Sequence, residues 1–204
     1  MYPVPTLYTL KPAFRRLLRP VCDYLARHRI NPNQVTVGAV VLSLAQGFWL
    51  MLEPGTRTAL LLFPLVLFVR MALNAIDGML AGRQGMKTSL GCVLNELGDV
   101  IADAVLYLPF ALIPGVNPVL VVLLVVSGII VELAGVTAVQ VGASRRYDGP
   151  LGKCDRASLF GFIALLLGLG VAPGQWVDVI LACGLLFSLY TINNRVRYGI
   201  GEIS

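Results

Sequence analysis

Residues 118–141 read PVLVVLLVVSGIIVELAGVTAVQV, a run whose one charge is Glu132. A helix needs about 20 apolar residues to cross the hydrocarbon core of a bilayer. A run this long, with no polar stripe to turn toward water, belongs in lipid. The rest of the chain agrees. Its 204 residues are 57% hydrophobic and 13% charged, with a mean hydropathy of +0.79. Soluble domains carry roughly a quarter charged residues. Disorder, a collagen-like chain and a disulfide-rich secreted module are excluded on the same grounds. Cys22, Cys92, Cys154 and Cys183 show no CxxC spacing. They read as small buried side chains, not as a zinc or redox site.

Working outward from that run, further spans are expected over 35–52, 58–77, 89–113, 157–171 and 176–192. Proline and glycine punctuate between them, as at Pro54–Gly55, Pro114–Gly115 and Pro173–Gly174. Before the first span, Leu10, Phe14, Leu17, Leu18, Val21 and Leu25 recur at helical spacing, with Lys11, Arg15, Arg16 and Arg19 mostly between them. The basic residues interrupt any signal-peptide core, and the pattern is that of a basic amphipathic helix lying on a membrane surface. The expected fold is an all-α integral membrane protein. A basic interfacial helix (1–30) precedes six transmembrane helices (31–204).

The net charge of +5 is topological information. Fourteen of the sixteen Lys and Arg residues fall on the side that holds both termini; Arg57 lies on the other side and Arg70 inside the second span. By the positive-inside rule both termini are cytoplasmic. The basic residues are too scattered, and too poor in interleaved aromatics, for a nucleic-acid partner. His28 reads as interfacial, and Trp49 and Trp176 as members of an aromatic belt.

The acids within the spans carry the functional signal, because a charge at mid-membrane costs roughly 2.5–3.5 kcal/mol on insertion scales. Asn74 and Asp77 share a face at the end of the second span. Asn95, Asp99 and Asp103 form a stripe about 12 Å long on the third, with Glu96 beside it and Glu132 within the fourth. Asp and Asn oxygens without His or thiolate partners suit a hard divalent cation, Mg²⁺ or Mn²⁺, and such an ion commonly accompanies phosphate. A hydrogen-bonded network of protonated acids is the plainer alternative. A proton- or cation-coupled relay through Asp99, Asp103 and Glu132 would need an aqueous path that the outer halves of the spans do not line.

Asn74-Ala-Ile-Asp77-Gly78-Met-Leu-Ala81-Gly82-Arg83, followed by Gly91-Cys-Val-Leu-Asn95-Glu-Leu-Gly-Asp99, resembles the CDP-alcohol phosphotransferase signature, D-x2-D-G-x2-A-R followed after eight or nine residues by G-x3-D-x3-D. The spacing is kept, and the layout of the whole chain is similar to that family's. Asn replaces the first and third aspartates, and Gly82 takes the arginine slot with Arg83 one place later. The resemblance implies metal ligation by Asn74, Asp77, Asn95 and Asp99, with Asp99 as the base that deprotonates an acceptor alcohol. It also implies nucleotide contacts around Gly78, Ala81, Arg83 and Gly91, and phosphate or acceptor contacts at Arg145, Lys153 and Arg156.

Two departures from that pattern stay open at this level: a ligand set displaced to Asp77, Asp99 and Asp103, and a degenerate site. The activity implied is transfer of a substituted phosphate from a CDP-linked donor, CDP-diacylglycerol first among them, to an alcohol acceptor with release of CMP. The setting implied is phospholipid biosynthesis in a bacterial inner membrane, by a homodimer. The rival is a non-catalytic membrane protein that binds nucleotide or lipid on the same fold.

Overall fold

A computed structural model describes residues 11–83 and 88–203, without the side chains of Lys11 and Arg83. Leu10 and Lys87 thus lie outside the described residues. The described residues form seven α-helices: α1 (Lys11–Arg27), α2 (Pro32–Leu52), α3 (Arg57–Arg83), α4 (Ser89–Tyr107), α5 (Pro118–Gln140), α6 (Lys153–Gly168) and α7 (Gln175–Ile203). A 3₁₀ turn over Leu108–Leu112 follows α4. Local chemistry sets the helix starts. Asn31 accepts from the Asn33 amide at 2.9 Å, while the Gln34 side chain accepts from the Asn31 amide, also at 2.9 Å. With Pro32 at the first helical position, this is a capping box. Thr88 caps α4 through the Gly91 amide at 3.0 Å, and Asn117 with Pro118 repeats the device for α5.

Four helices, α2, α3, α5 and α7, are long and apolar enough to cross a membrane. The other two expected spans differ for visible reasons. α4 stops at Tyr107, ahead of Pro109, instead of running to 113, and it carries Glu96, Asp99 and Asp103. α6 begins four residues earlier than expected, where the Gly152 amide donates to Asp155 Oδ2 at 3.0 Å, and ends at Gly168 after 16 residues. α3 runs on to Arg83, so the whole Asn74–Arg83 motif is helical. α7 continues eleven residues past the expected end, to Ile203.

α2 packs against both α3 and α4, α6 against α3, and α5 against α7. An aromatic cluster centres the larger core. Tyr107 stacks on Phe160 with centroids 4.2 Å apart, and Phe110 meets Phe63 and Phe160 edge-on at 5.0 and 5.2 Å. A smaller core joins α1 to α3, where Leu18, Cys22 and Leu25 pack with Ile76 and Leu80, and Phe14 meets Phe68 edge-on at 5.8 Å. Phe14, Leu18, Cys22 and Leu25 of α1 thus pack on α3, the helix that carries the first half of the motif, while Leu17 and Val21 of the expected stripe stay exposed.

Candidate functional site

On α3, Arg70, Asn74 and Asp77 follow at i, i+4 and i+7, so they share a face. On α4, Asn95, Asp99, Asp103 and Tyr107 repeat every fourth residue. The two rows meet. Asn74 Nδ2 donates to Asp99 Oδ1 at 2.6 Å, which fixes the amide so that its oxygen points away from Asp99. The Lys153 ammonium, at the start of α6, pairs with the same carboxylate oxygen. Asp77 is buried, 2% exposed, and its Oδ2 accepts from Thr36 Oγ1 of α2 at 2.8 Å. Among the described residues its Oδ1 is buried with no hydrogen-bond partner. A buried, unpaired carboxylate oxygen is expensive, and a cation is what such an atom lacks.

One turn deeper, every acid is answered by a base. Asp103 Oδ1 lies 2.6 Å from Arg70 Nη1, and Asp103 Oδ2 accepts from Arg156 Nη2 at 3.1 Å. Arg70 also donates to the Asp99 carbonyl at 3.1 Å. Arg156 reaches Glu132 Oε1 at 3.0 Å. Arg195 donates to the Val131 carbonyl at 2.6 Å and to Glu132 Oε2 at 3.3 Å. Arg145 pairs with Glu96 and lies 3.7 Å from Glu132. Two glycines of α5 make room for this chain of charges. A Cβ at Gly128 would stand 3.0 Å from Arg156 Cδ, and one at Gly135 would stand 2.9 Å from Arg195 Nη1.

The nucleotide-side residues line two different environments. Gly78 and Gly82, with Met79, form one wall of a groove of about 360 Å³, and Arg15, Arg16 and Arg19 of α1 form the other. A Cβ at Gly78 would meet only Arg15 Nη2, at 3.7 Å, and one at Gly82 would meet nothing within 4 Å. Ala81 is half-buried next to this wall. Gly91 instead abuts α2, where a Cβ would stand 2.8 Å from Asn33 Oδ1. The Arg83 side chain lies outside the described residues.

Comparison with known proteins follows from this arrangement. The CDP-alcohol phosphatidyltransferase family pattern matches residues 29–190. The chain belongs to that family. It is 43% identical over 192 residues, 94% of this chain and 95% of the relative, to the inner membrane protein YnbA of Escherichia coli K12. It is 27% identical over 189 residues, 92% of each chain, to an archaetidylinositol phosphate synthase of Aeropyrum pernix. Its fold matches crystal structures of the Mycobacterium tuberculosis phosphatidylinositol phosphate synthase PgsA1. With CDP-DAG bound, the TM-score is 0.75 at 18% identity, covering 90% of this chain and 94% of that one. With manganese and citrate it is 0.74 at 18% identity, covering 89% and 88%.

Within this member of the family, the expected site residues divide. Asn74 and Asp99 are in contact, and Asp77 shares the Asn74 face of α3. Asn95 is half-buried one turn before Asp99 on α4. Asp103 and Arg156 are occupied with each other and with Arg70 and Glu132. Arg156, 2% exposed, lines a cavity of only about 10 Å³ with Asp103, Tyr107 and Glu132. Sequence reading gave no role to Arg70, Thr36 or Arg195. Arg70 stands one turn before Asn74 on the same face, which is a signal. Thr36 and Arg195 are joined to the site by packing alone. Among the described residues no three His, Cys, Asp or Glu side chains gather as a metal site. A cation here would draw on amide as well as carboxylate oxygens, which Asn74, Asp77, Asn95 and Asp99 supply.

Proposed function

We propose that this chain is a divalent-metal-dependent CDP-alcohol phosphotransferase. In this reading it moves a phosphatidyl group from CDP-diacylglycerol to an alcohol and releases CMP, in the cytoplasmic membrane of a bacterium. The observation that carries the reading is the buried, unpaired Asp77 oxygen on the motif helix of a chain of this family. The PgsA1 structures with CDP-DAG and with manganese support the donor and the ion. The layout proposed is six spans, α2 to α7, with α1 at the cytoplasmic interface as a separate N-terminal element and both termini on that side. A homodimer remains part of the proposal.

Mg²⁺ or Mn²⁺, held by Asn74, Asp77, Asn95 and Asp99, would neutralise charge developing on the diphosphate. The protein's own residues do the rest. The Asp99 carboxylate takes the acceptor's hydroxyl proton as the acceptor oxygen bonds to the lipid-bearing phosphorus and the bridge to CMP breaks. Thr36 fixes the Asp77 rotamer through its hydrogen bond. Gly78 and Gly82 leave the wall of the arginine-lined groove open beside Met79 for the nucleotide, with Ala81, Arg83 and Gly91 placed around it in the motif. Lys153 and Arg145 face the acceptor's charge, and Arg156 and Asp103 brace them from below.

A second reading, a member of the family without turnover, is favoured by the two motif amides and by Lys153 on Asp99. Release of CMP from CDP-diacylglycerol, with Mn²⁺ and a panel of free and phosphorylated polyols and amino alcohols, decides between them. Turnover is expected, and Asp99→Asn is expected to lower it about 10²–10⁴-fold. An unchanged rate in that variant removes Asp99 as base. No CMP from any acceptor selects the second reading.

A further inference from the structure

Two metal ions set about 3.5–4 Å apart, as in two-metal phosphoryl-transfer sites, repel strongly and must share anionic ligands. A carboxylate offers two oxygens and a negative charge for that purpose, whereas an amide offers one oxygen and no charge. Here both Asn74 and Asn95 are amides, and Asn74 is further committed through Nδ2 to Asp99. The carboxylates left in the motif, Asp77 and Asp99, have unlike surroundings. Asp77 Oδ1 is buried and unpaired, while Asp99 Oδ1 already holds the Lys153 ammonium. The Asp77 side therefore lacks a cation and the Asp99 side has one built in. Two divalent ions beside Lys153 would set five positive charges against two carboxylates. One ion sets three positive charges against the same two carboxylates, the smaller excess.

We propose that this centre takes a single divalent cation, on the Asp77 side, and that the Lys153 ammonium on Asp99 stands where a second cation would neutralise the site. Lys153 is thus a charge-positioning residue, present whether or not substrate is bound. The proposal rests on the phosphotransferase reading above.

The test is Mn²⁺ binding to the purified full-length chain in detergent, read by elemental stoichiometry and electron paramagnetic resonance. About one Mn²⁺ per chain is expected, with the spectrum of an isolated ion, in the presence of CDP. Lys153→Gln removes a competing positive charge and is expected to tighten Mn²⁺ binding about tenfold, at unchanged stoichiometry. Restoring the acids, Asn74→Asp with Asn95→Asp in the Lys153→Gln background, is expected to yield two spin-coupled ions.

Two coupled ions in the unaltered chain overturn the single-cation proposal and leave the phosphotransferase reading standing. So does an affinity that Lys153→Gln leaves unmoved, or a restored variant that still elutes as a folded protein and holds one ion. No bound Mn²⁺ at all removes both the proposal and the metal part of the reading, and CMP release then reports on the reading separately.

Discussion

The motif level of the bundle and the level one turn deeper both bury carboxylates and treat them differently. In the deeper layer Arg70, Asp103, Arg156, Glu132 and Arg195 alternate in sign across α3 to α7, so each acid lies within ion-pair distance of at least one guanidinium. At the motif level Asp77 keeps an oxygen unpaired among the described residues, and Asp99 is met by one amide and one ammonium. Buried acids that each face a guanidinium act as structure. A buried acid with no ion pair among the described residues is where a ligand cation would complete the charge. The two layers are separated by which of their acids have a cation beside them.

Three substitutions would break or sharpen this contrast. Arg156→Met leaves Asp103 and Glu132 short of a partner. Breaking a buried pair from one side costs about 3–5 kcal/mol, so a large fall in the midpoint of thermal unfolding in detergent is expected. A midpoint within a degree or two of the parent would mean that the deep layer is not structural.

Asp77→Asn should do the reverse. It removes a buried charge that has no ion pair among the described residues, so the unfolding midpoint should hold or rise while CMP release falls by at least about a hundredfold, the upper range for perturbing even the outer partners of a metal ligand. A variant that loses stability and keeps turnover would merge the two layers into one.

The smallest effect is expected at the rim. Arg15→Gln withdraws one guanidinium from the groove facing Gly78, and should raise the KM for the CDP-linked donor several-fold with kcat little changed, the size of one exposed charge contact at about 1 kcal/mol. Insensitivity of KM to this change and to salt would take the groove out of substrate binding.

Much of this architecture is legible in the chain before folding is considered. The apolar run at 118–141 gives the solvent, the arginines between apolar positions give α1, and the spacing from Asn74 to Asp99 gives the motif helices and the family. These are signals local in sequence, carried by periodicity and by caps such as Asn31 and Thr88. The deep layer is not legible in that way, because Arg70 with Asp103, and Glu132 with Arg156 and Arg195, are pairs joined only by packing. Partial hints exist. Arg70 continues the Asn74 face, and Gly128 and Gly135 bracket Glu132 on α5, as small residues do where bulky guanidiniums must pass. The end of α4 was equally available in Pro109, but the apolar residues beyond it mask the break. Nothing local announces that Gly91 would lie against Asn33 or that Lys153 would reach Asp99.

The alternating layer also bears on how the protein is made. Each of its helices brings a charge whose partner sits on another helix, so synthesis must deliver them in an order the bilayer tolerates. Arg70 emerges on α3 before any acid of the layer exists, and the long apolar remainder of that helix has to carry it, at a cost of roughly 2.5–3.5 kcal/mol for a central charge. Glu132 arrives on α5, the most apolar of the four long helices, and α7, the least apolar, comes last. By then Glu132 is already waiting for Arg195. Of the four long helices, the least apolar is thus the one whose counterion has been laid down in advance, and its Arg195 completes the charge ladder.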